Sequence, residues 1–215
     1  MRIKTLLTTL LVALSMSAAN IDVTTSDYTT KIAAANDGDV YVMASGTYTT
    51  AIKIPATANI TLRAADGAEV IYNSTLGSDA GAAGGVTFDG IKIQPNNSYF
   101  CNLNGSVGNI QTLTFKNCEI SPAAAGTQFN RSLITGGSKS STIGSIVIAN
   151  SIIRGCGNDG WSFIRPNNVV HSFSMTNNTM YNYAGESMFD PQADNTTNVA
   201  FTATVKNNTF YKISR

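Results

Sequence analysis

Val86-Thr87-Phe88-Asp89-Gly90-Ile91-Lys92-Ile93 alternates apolar and polar residues, breaks at a glycine and resumes apolar. The phrase returns as Leu113-Thr114-Phe115-Lys116-Asn117-Cys118-Glu119-Ile120 and as Ile146-Val147-Ile148-Ala149-Asn150-Ser151-Ile152-Ile153. It returns again from Phe173 to Met180 and from Ala203 to Phe210, with starts 27, 33, 27 and 30 residues apart. Alternation of period two marks a strand with one buried face. A fixed internal register within a drifting period means one structural unit used repeatedly.

A second phrase falls between the repeats: Ser98-Tyr99-Phe100-Cys101, Ser132-Leu133-Ile134-Thr135, Ser162-Phe163-Ile164-Arg165 and Ser187-Met188-Phe189-Asp190. A unit this short cannot bury its own apolar side, but stacked units bury one another's. The expected architecture is an all-β parallel β-helix, in which equivalent strands of successive rungs pair about 4.8 Å apart. Gly90, Asn117, Asn150, Asn177 and Asn207 then form one column at a turn. Asn tolerates the left-handed backbone conformation, and its amide can bond its counterpart on the next rung.

Earlier rungs are fainter. Ile60-Thr61-Leu62 reads as one, and Val40-Tyr41-Val42 and Ile52-Lys53-Ile54 read as strands. Ser26 to Asn36 reads as a short helix, with Ser26 as N-cap and Tyr28, Ile32 and Ala35 on one face. Such a helix would cover the open end of the coil. Gly77 to Gly85 reads as a flexible loop. Arg215 follows directly on an apolar-rich rung, so further rungs or a cap are expected beyond it.

Met1-Arg2-Ile3-Lys4, an apolar run to about Met16, and Ser17-Ala18-Ala19 together have the form of a secretory signal peptide. Residues 1–19 are expected to be removed, leaving one β-helix domain over 20–215 that is secreted, periplasmic or held at the cell surface. The apolar run is too short to span a bilayer, no later stretch reads as transmembrane, and a monomer is expected. With 14 basic against 13 acidic residues and no Lys/Arg cluster, nucleic acid is excluded as a partner. Three cysteines, Cys101, Cys118 and Cys156, cannot pair completely. Cys118 takes the place of Ile91 and Ser151 in its repeat, the place of a small buried filler.

Asn36-Asp37-Gly38-Asp39-Val40-Tyr41-Val42-Met43-Ala44-Ser45-Gly46-Thr47-Tyr48 resembles the opening of the pectin-lyase-like superfamily, where a related phrase follows a capping helix. Ile60-Thr61-Leu62-Arg63 with Asp66-Gly67-Ala68-Glu69-Val70-Ile71 is similar to that family's first rungs. The layout is most similar to chondroitinase-B-like and alginate-lyase-like secreted proteins and to pectate-lyase-like domains of Bacteroidetes. The resemblance implies a single-stranded, right-handed coil with a capping helix. It also implies a polysaccharide partner and raises Ca²⁺ as a cofactor. The lyase branch's calcium motif and its catalytic Lys and Arg motifs have no recognisable match here.

A lyase acting on an acidic glycan removes the proton next to a carboxylate, so it needs a base and positive charge for the developing enolate. Thr135, Arg165 and Asp190 hold the same place in the second phrase and should stack on one face. Arg131, Lys139, Arg154, Trp161 and Glu186 lie near that column in sequence. Arg165, Asp190, Glu186 and Arg131 are the candidate catalytic residues; Trp161, Arg154 and Lys139 are the candidate saccharide contacts. Guanidinium grips a carboxylate in two-pronged fashion, and indole packs on a sugar ring. Three alternatives stay open. Arg165 and Asp190 can be a plain surface ion pair. Asp159, in the Asn158-Asp159-Gly160 turn, can partner Glu186 or Asp190 for hydrolysis. The coil can also be a non-catalytic carbohydrate-binding or adhesin module. Asp37 and Asp39 read as a solvated turn rather than Ca²⁺ ligands, and His171 as a satisfied or solvent-facing residue.

Overall fold

Each repeat folds into one coil of short strands. The computed structural model describes residues 18–123, 129, 131–157, 160–193 and 200–213. Residues 1–17, most of the stretch expected as a signal peptide (1–19), lie outside the described residues, as do Asn158, Asp159 and Arg215.

Strand β1 (Asn20–Val23) and helix α1 (Tyr28–Ile32) precede the first full rung, β2 (Val40–Met43), β3 (Gly46–Tyr48) and β4 (Ile52–Ile54). The next rungs are β5 (Asn59–Ala64), β6 (Val70–Tyr72), β7 (Leu76–Ser78); then β8 (Gly85–Asp89), β9 (Lys92–Ile93), β10 (Cys101–Leu103). There follow β11 (Ile110–Lys116), β12 (Glu119–Ile120), β13 (Ile134–Gly136); then β14 (Thr142–Ala149), β15 (Ile152–Arg154), β16 (Ile164–Pro166). The last are β17 (Val169–Thr176), β18 (Thr179–Tyr183), β19 (Thr202–Lys206) and β20 (Thr209–Ile213).

Among the described residues these strands form three sheets, all paired in parallel. The first runs β1-β2-β5-β8-β11-β14-β17-β19, the second β3-β6-β9-β12-β15-β18-β20, the third β4-β7-β10-β13-β16. This is a single-stranded right-handed parallel β-helix with an N-terminal capping helix. The first phrase stacks in register throughout: Val86, Leu113, Ile146, Phe173 and Ala203 are successive partners, as are Phe88, Phe115, Ile148, Met175 and Val205. Ile60 pairs with Val86, so the faint early rung belongs to the same column.

From β8 onward the corner between the first and second sheets is two residues long in every rung. Gly90, Asn117, Asn150, Asn177 and Asn207 all have positive φ, between 50° and 72°. They stand in single file, and their amides link rungs: Asn177 Nδ2 donates to Asn150 Oδ1 (3.2 Å) and Asn207 Nδ2 to Asn177 Oδ1 (3.1 Å). A second ladder runs just inside it. The Ser151 hydroxyl accepts from the Cys118 N–H, Asn178 Oδ1 from the Ser151 N–H, and Asn208 Oδ1 from the Asn178 N–H. Each rung thus satisfies a buried backbone donor of the rung before it.

Three sequence expectations are corrected. The helix is shorter than 26–36, and Ser26 does not cap it. Its hydroxyl bonds Thr24 Oγ1, while Asp27 precedes the helix and accepts the Thr24 N–H (2.8 Å). Tyr28 and Ile32 still face inward, and the helix does cover the end of the coil. The segment 77–85 is not a flexible loop: it begins within β7, and its backbone is bonded to Ser106, Ala56 and Pro55 on neighbouring rungs. A β-carbon on Gly84 would lie 2.1 Å from the Ala58 carbonyl oxygen. Glycine here permits close stacking rather than freedom. The second phrase slips by one residue in its first occurrence. Cys101, not Phe100, pairs with Ile134, so Asn102 takes the place of Thr135. The buried pair is Phe100-Cys101, because the thiol side chain packs as a small apolar group.

Candidate functional site

The third sheet positions the candidate site. Asn102, Thr135 and Arg165 are successive partners on β10, β13 and β16. Ile164 bridges to Phe189, and the Asp190 N–H donates to the Ile164 carbonyl (2.9 Å), so Asp190 continues the column. Thr135, Arg165 and Asp190 therefore share one face.

Arg165 Nε lies 3.6 Å from Asp190 Oδ2, and its Nη1 donates to the Gly160 carbonyl (3.1 Å). Asp190 is held from behind by serines of the same phrase. Ser162 Oγ donates to Asp190 Oδ2 (3.2 Å), Ser187 Oγ donates to Ser162 Oγ (2.9 Å), and Ser132 Oγ donates to the Ser162 carbonyl (2.7 Å). This serine column was visible as the head of the repeated phrase, but its role in fixing Asp190 was not.

Trp161 enters the sheet just before β16 and is half-buried. The Arg131 guanidinium carbon lies 4.5 Å from its ring centroid and that of Arg165 5.4 Å. Both are within the range where a cation is attracted to an indole face. Among the described residues no carboxylate lies within ion-pair distance of Arg131. Glu186 is exposed, and its N–H donates to the Trp161 carbonyl (3.0 Å), which places it one rung beyond the indole. The structure thus gathers Arg131, Trp161, Arg165, Glu186 and Asp190.

Arg154 and Lys139 are not part of that group. Arg154 stands on β15 in the second sheet, where its Nε donates to Glu119 Oε1 (2.9 Å). Lys139 lies beyond β13, at the opposite end of that strand from Arg131. His171 is exposed on the first sheet. Asp37 and Asp39 do not form a solvated turn: Asp39 is buried and its Oδ2 accepts the Asn36 N–H (2.9 Å), while Asp37 Oδ1 reaches the next rung and accepts the Asn59 N–H (2.8 Å). A cavity of about 470 Å³ lies at the other end of the coil between α1 and 51–58; apart from the Lys53–Asp79 pair its lining carries no charge.

No family model matches this chain, and no curated protein matches it.

Ca²⁺ takes six to eight oxygen ligands. Asp190 is already shared between Arg165 and Ser162, with a second guanidinium nearby on Trp161. Among the described residues no cluster of three His, Cys, Asp or Glu forms a metal-binding set. The donor set does not fit Ca²⁺.

All three cysteines are buried and unpaired. Burial pushes the Cys118 and Cys156 thiols up to about 12 and that of Cys101 higher still. The thiolate is the reactive form, so at pH 8 the native protein is expected to resist a thiol-specific chromogenic disulfide, with all three thiols reacting once denaturant is added. Stoichiometric labelling of the folded protein would refute this burial.

Proposed function

We propose that this is an exported polysaccharide-active protein of the pectin-lyase-like kind, acting by β-elimination on an acidic glycan at the third-sheet site. The observation that carries this reading is the Trp161 ring with the Arg131 and Arg165 guanidiniums upon it. A uronate offers an apolar ring face to the indole and a carboxylate to guanidinium. In the reaction a base takes the proton beside the carboxylate, and the electron pair left behind forms a carbon–carbon double bond. The glycosidic oxygen departs with its own electrons and is protonated. Arg131 grips the carboxylate and Arg165 stabilises the charge that develops on it. Glu186 is the base. Asp190, tied to Ser162, orients Arg165.

Incubation with polyuronates, with and without Ca²⁺, is expected to raise the ultraviolet absorbance of the unsaturated product. Arg165→Ala is expected to lower that rate about 10²-fold or more, and Glu186→Gln to lower it without weakening binding. No rise with any uronate would overturn the lyase reading.

One observation favours a second reading. Asp190 is committed to both Arg165 and Ser162, an arrangement that suits a rigid saccharide platform. Retained glycan binding without any product would establish the coil as a carbohydrate-binding or adhesin module.

A further inference from the structure

We infer that the leader is removed at the Ser17–Ala18 bond, and that the ammonium group freed on Ala18 settles beside the buried Asp39 carboxylate. This rests on the export reading above and goes beyond it. Leader peptidases accept small residues one and three places before the cut. Three bonds satisfy that rule: Ala19–Asn20, preceded by Ser17 and Ala19; Ser17–Ala18, preceded by Ser15 and Ser17; and Ser15–Met16, preceded by Ala13 and Ser15. A cut between Ala18 and Ala19 would place Met16 at the outer position.

The fold chooses among the three. Ala19 is part of the first sheet in all but label, because its carbonyl accepts the Val40 N–H (2.8 Å) just ahead of the β1–β2 pairing. Its N–H donates to Asp39 Oδ1 (3.1 Å). Asp39 is 1% exposed, and its other oxygen takes the Asn36 N–H. The Ala18 methyl lies against Gly38, where even a β-carbon would come within 2.9 Å of it. Cutting after Ala19 would strip an acceptor from Val40 and a donor from a buried carboxylate. Cutting after Ser17 or after Ser15 keeps both.

Of these two cuts, the one after Ser17 frees its ammonium nearer Asp39, one residue from Ala19 rather than three. Among the described residues no Lys or Arg lies within ion-pair distance of Asp39. A carboxylate removed from water without a counter-charge is unfavourable. Hydrolysis by an export-linked peptidase adds water across the Ser17–Ala18 peptide bond, leaving a carboxylate on Ser17 and an ammonium on Ala18. That ammonium stands one residue from the amide that already bonds Asp39. Maturation thus completes the first rung electrostatically.

The test is to express the full chain in a secreting host and determine the intact mass and N-terminal sequence of the exported product. Ala18 as first residue is expected. Asn20 or Met16 as first residue would overturn this inference while leaving export intact, and retained Met1 would overturn export as well. Chains made to begin at Ala18 and at Asn20 are then melted. The Asn20 form is expected to melt about 5 °C lower, and equal midpoints would overturn the docking. Acetylating the Ala18 amine is expected to lower the midpoint of the wild-type chain but not of Asp39→Asn. An equal effect on both would place the ammonium elsewhere.

Discussion

Phe115→Ala is expected to destabilise the coil by about 3–5 kcal/mol. The ring is fully buried between rungs, parallel to Phe88 at 5.7 Å and edge-on to Phe100 at 5.9 Å. Truncation removes the transfer free energy of the ring and leaves a void. The void cannot close, because hydrogen-bonded ladders on either side hold β8, β11 and β14 at fixed separation. Urea denaturation followed by circular dichroism measures the loss. Phe115→Leu should recover more than half of it, and a loss below about 1 kcal/mol for the alanine form would show that the rungs do not share one packed interior.

Asn178→Ala is expected to destabilise by about 3 kcal/mol, far more than removal of an exposed amide. Asn178 is 2% exposed. Its Oδ1 accepts the Ser151 N–H (2.8 Å), and its Nδ2 donates to the Ile148 carbonyl (3.0 Å) and to Asn208 Oδ1 (3.0 Å). Alanine strands the first two groups without water. Asn178→Ser supplies an internal control, since Ser151 stands at the same corner and already serves the Cys118 N–H with its hydroxyl. Serine should therefore recover part of the loss. Equal destabilisation by serine and alanine would show that the inner ladder contributes volume and not hydrogen bonds.

The first phrase was legible to the residue because its corner is rigid. Two residues separate the strands there, the first needs positive φ, and only Gly and Asn satisfy it cheaply, so the letters betray the geometry. The second phrase was less legible. Its strands are short, and a one-residue slip at Cys101 changes nothing in a pattern that treats cysteine as polar. Gly77 to Gly85 misled for a related reason: composition cannot tell a glycine that permits motion from one that permits contact. At the site, the stacking of Arg165 with Asp190 followed from register, whereas the placement of Arg131 on Trp161 depends on how a long connection folds back. Arg154 shows the converse. Only eleven residues before Arg165 in sequence, it belongs to a different sheet.

The two-residue Asn corner has an evolutionary consequence. Because it keeps its length from β8 onward, the variation in rung size there falls elsewhere, on the passages from second to third sheet at 94–100, 121–133, 155–163 and 184–188 and on the returns to the first sheet. Arg131, Trp161 and Glu186 all sit on those passages. Lengthening a tethered segment costs little, about 0.6 kcal/mol per doubling. The molecule therefore separates what must be invariant from what is free to diversify. One side of the spiral keeps count, and the other can be rewritten to meet a new surface without disturbing the count.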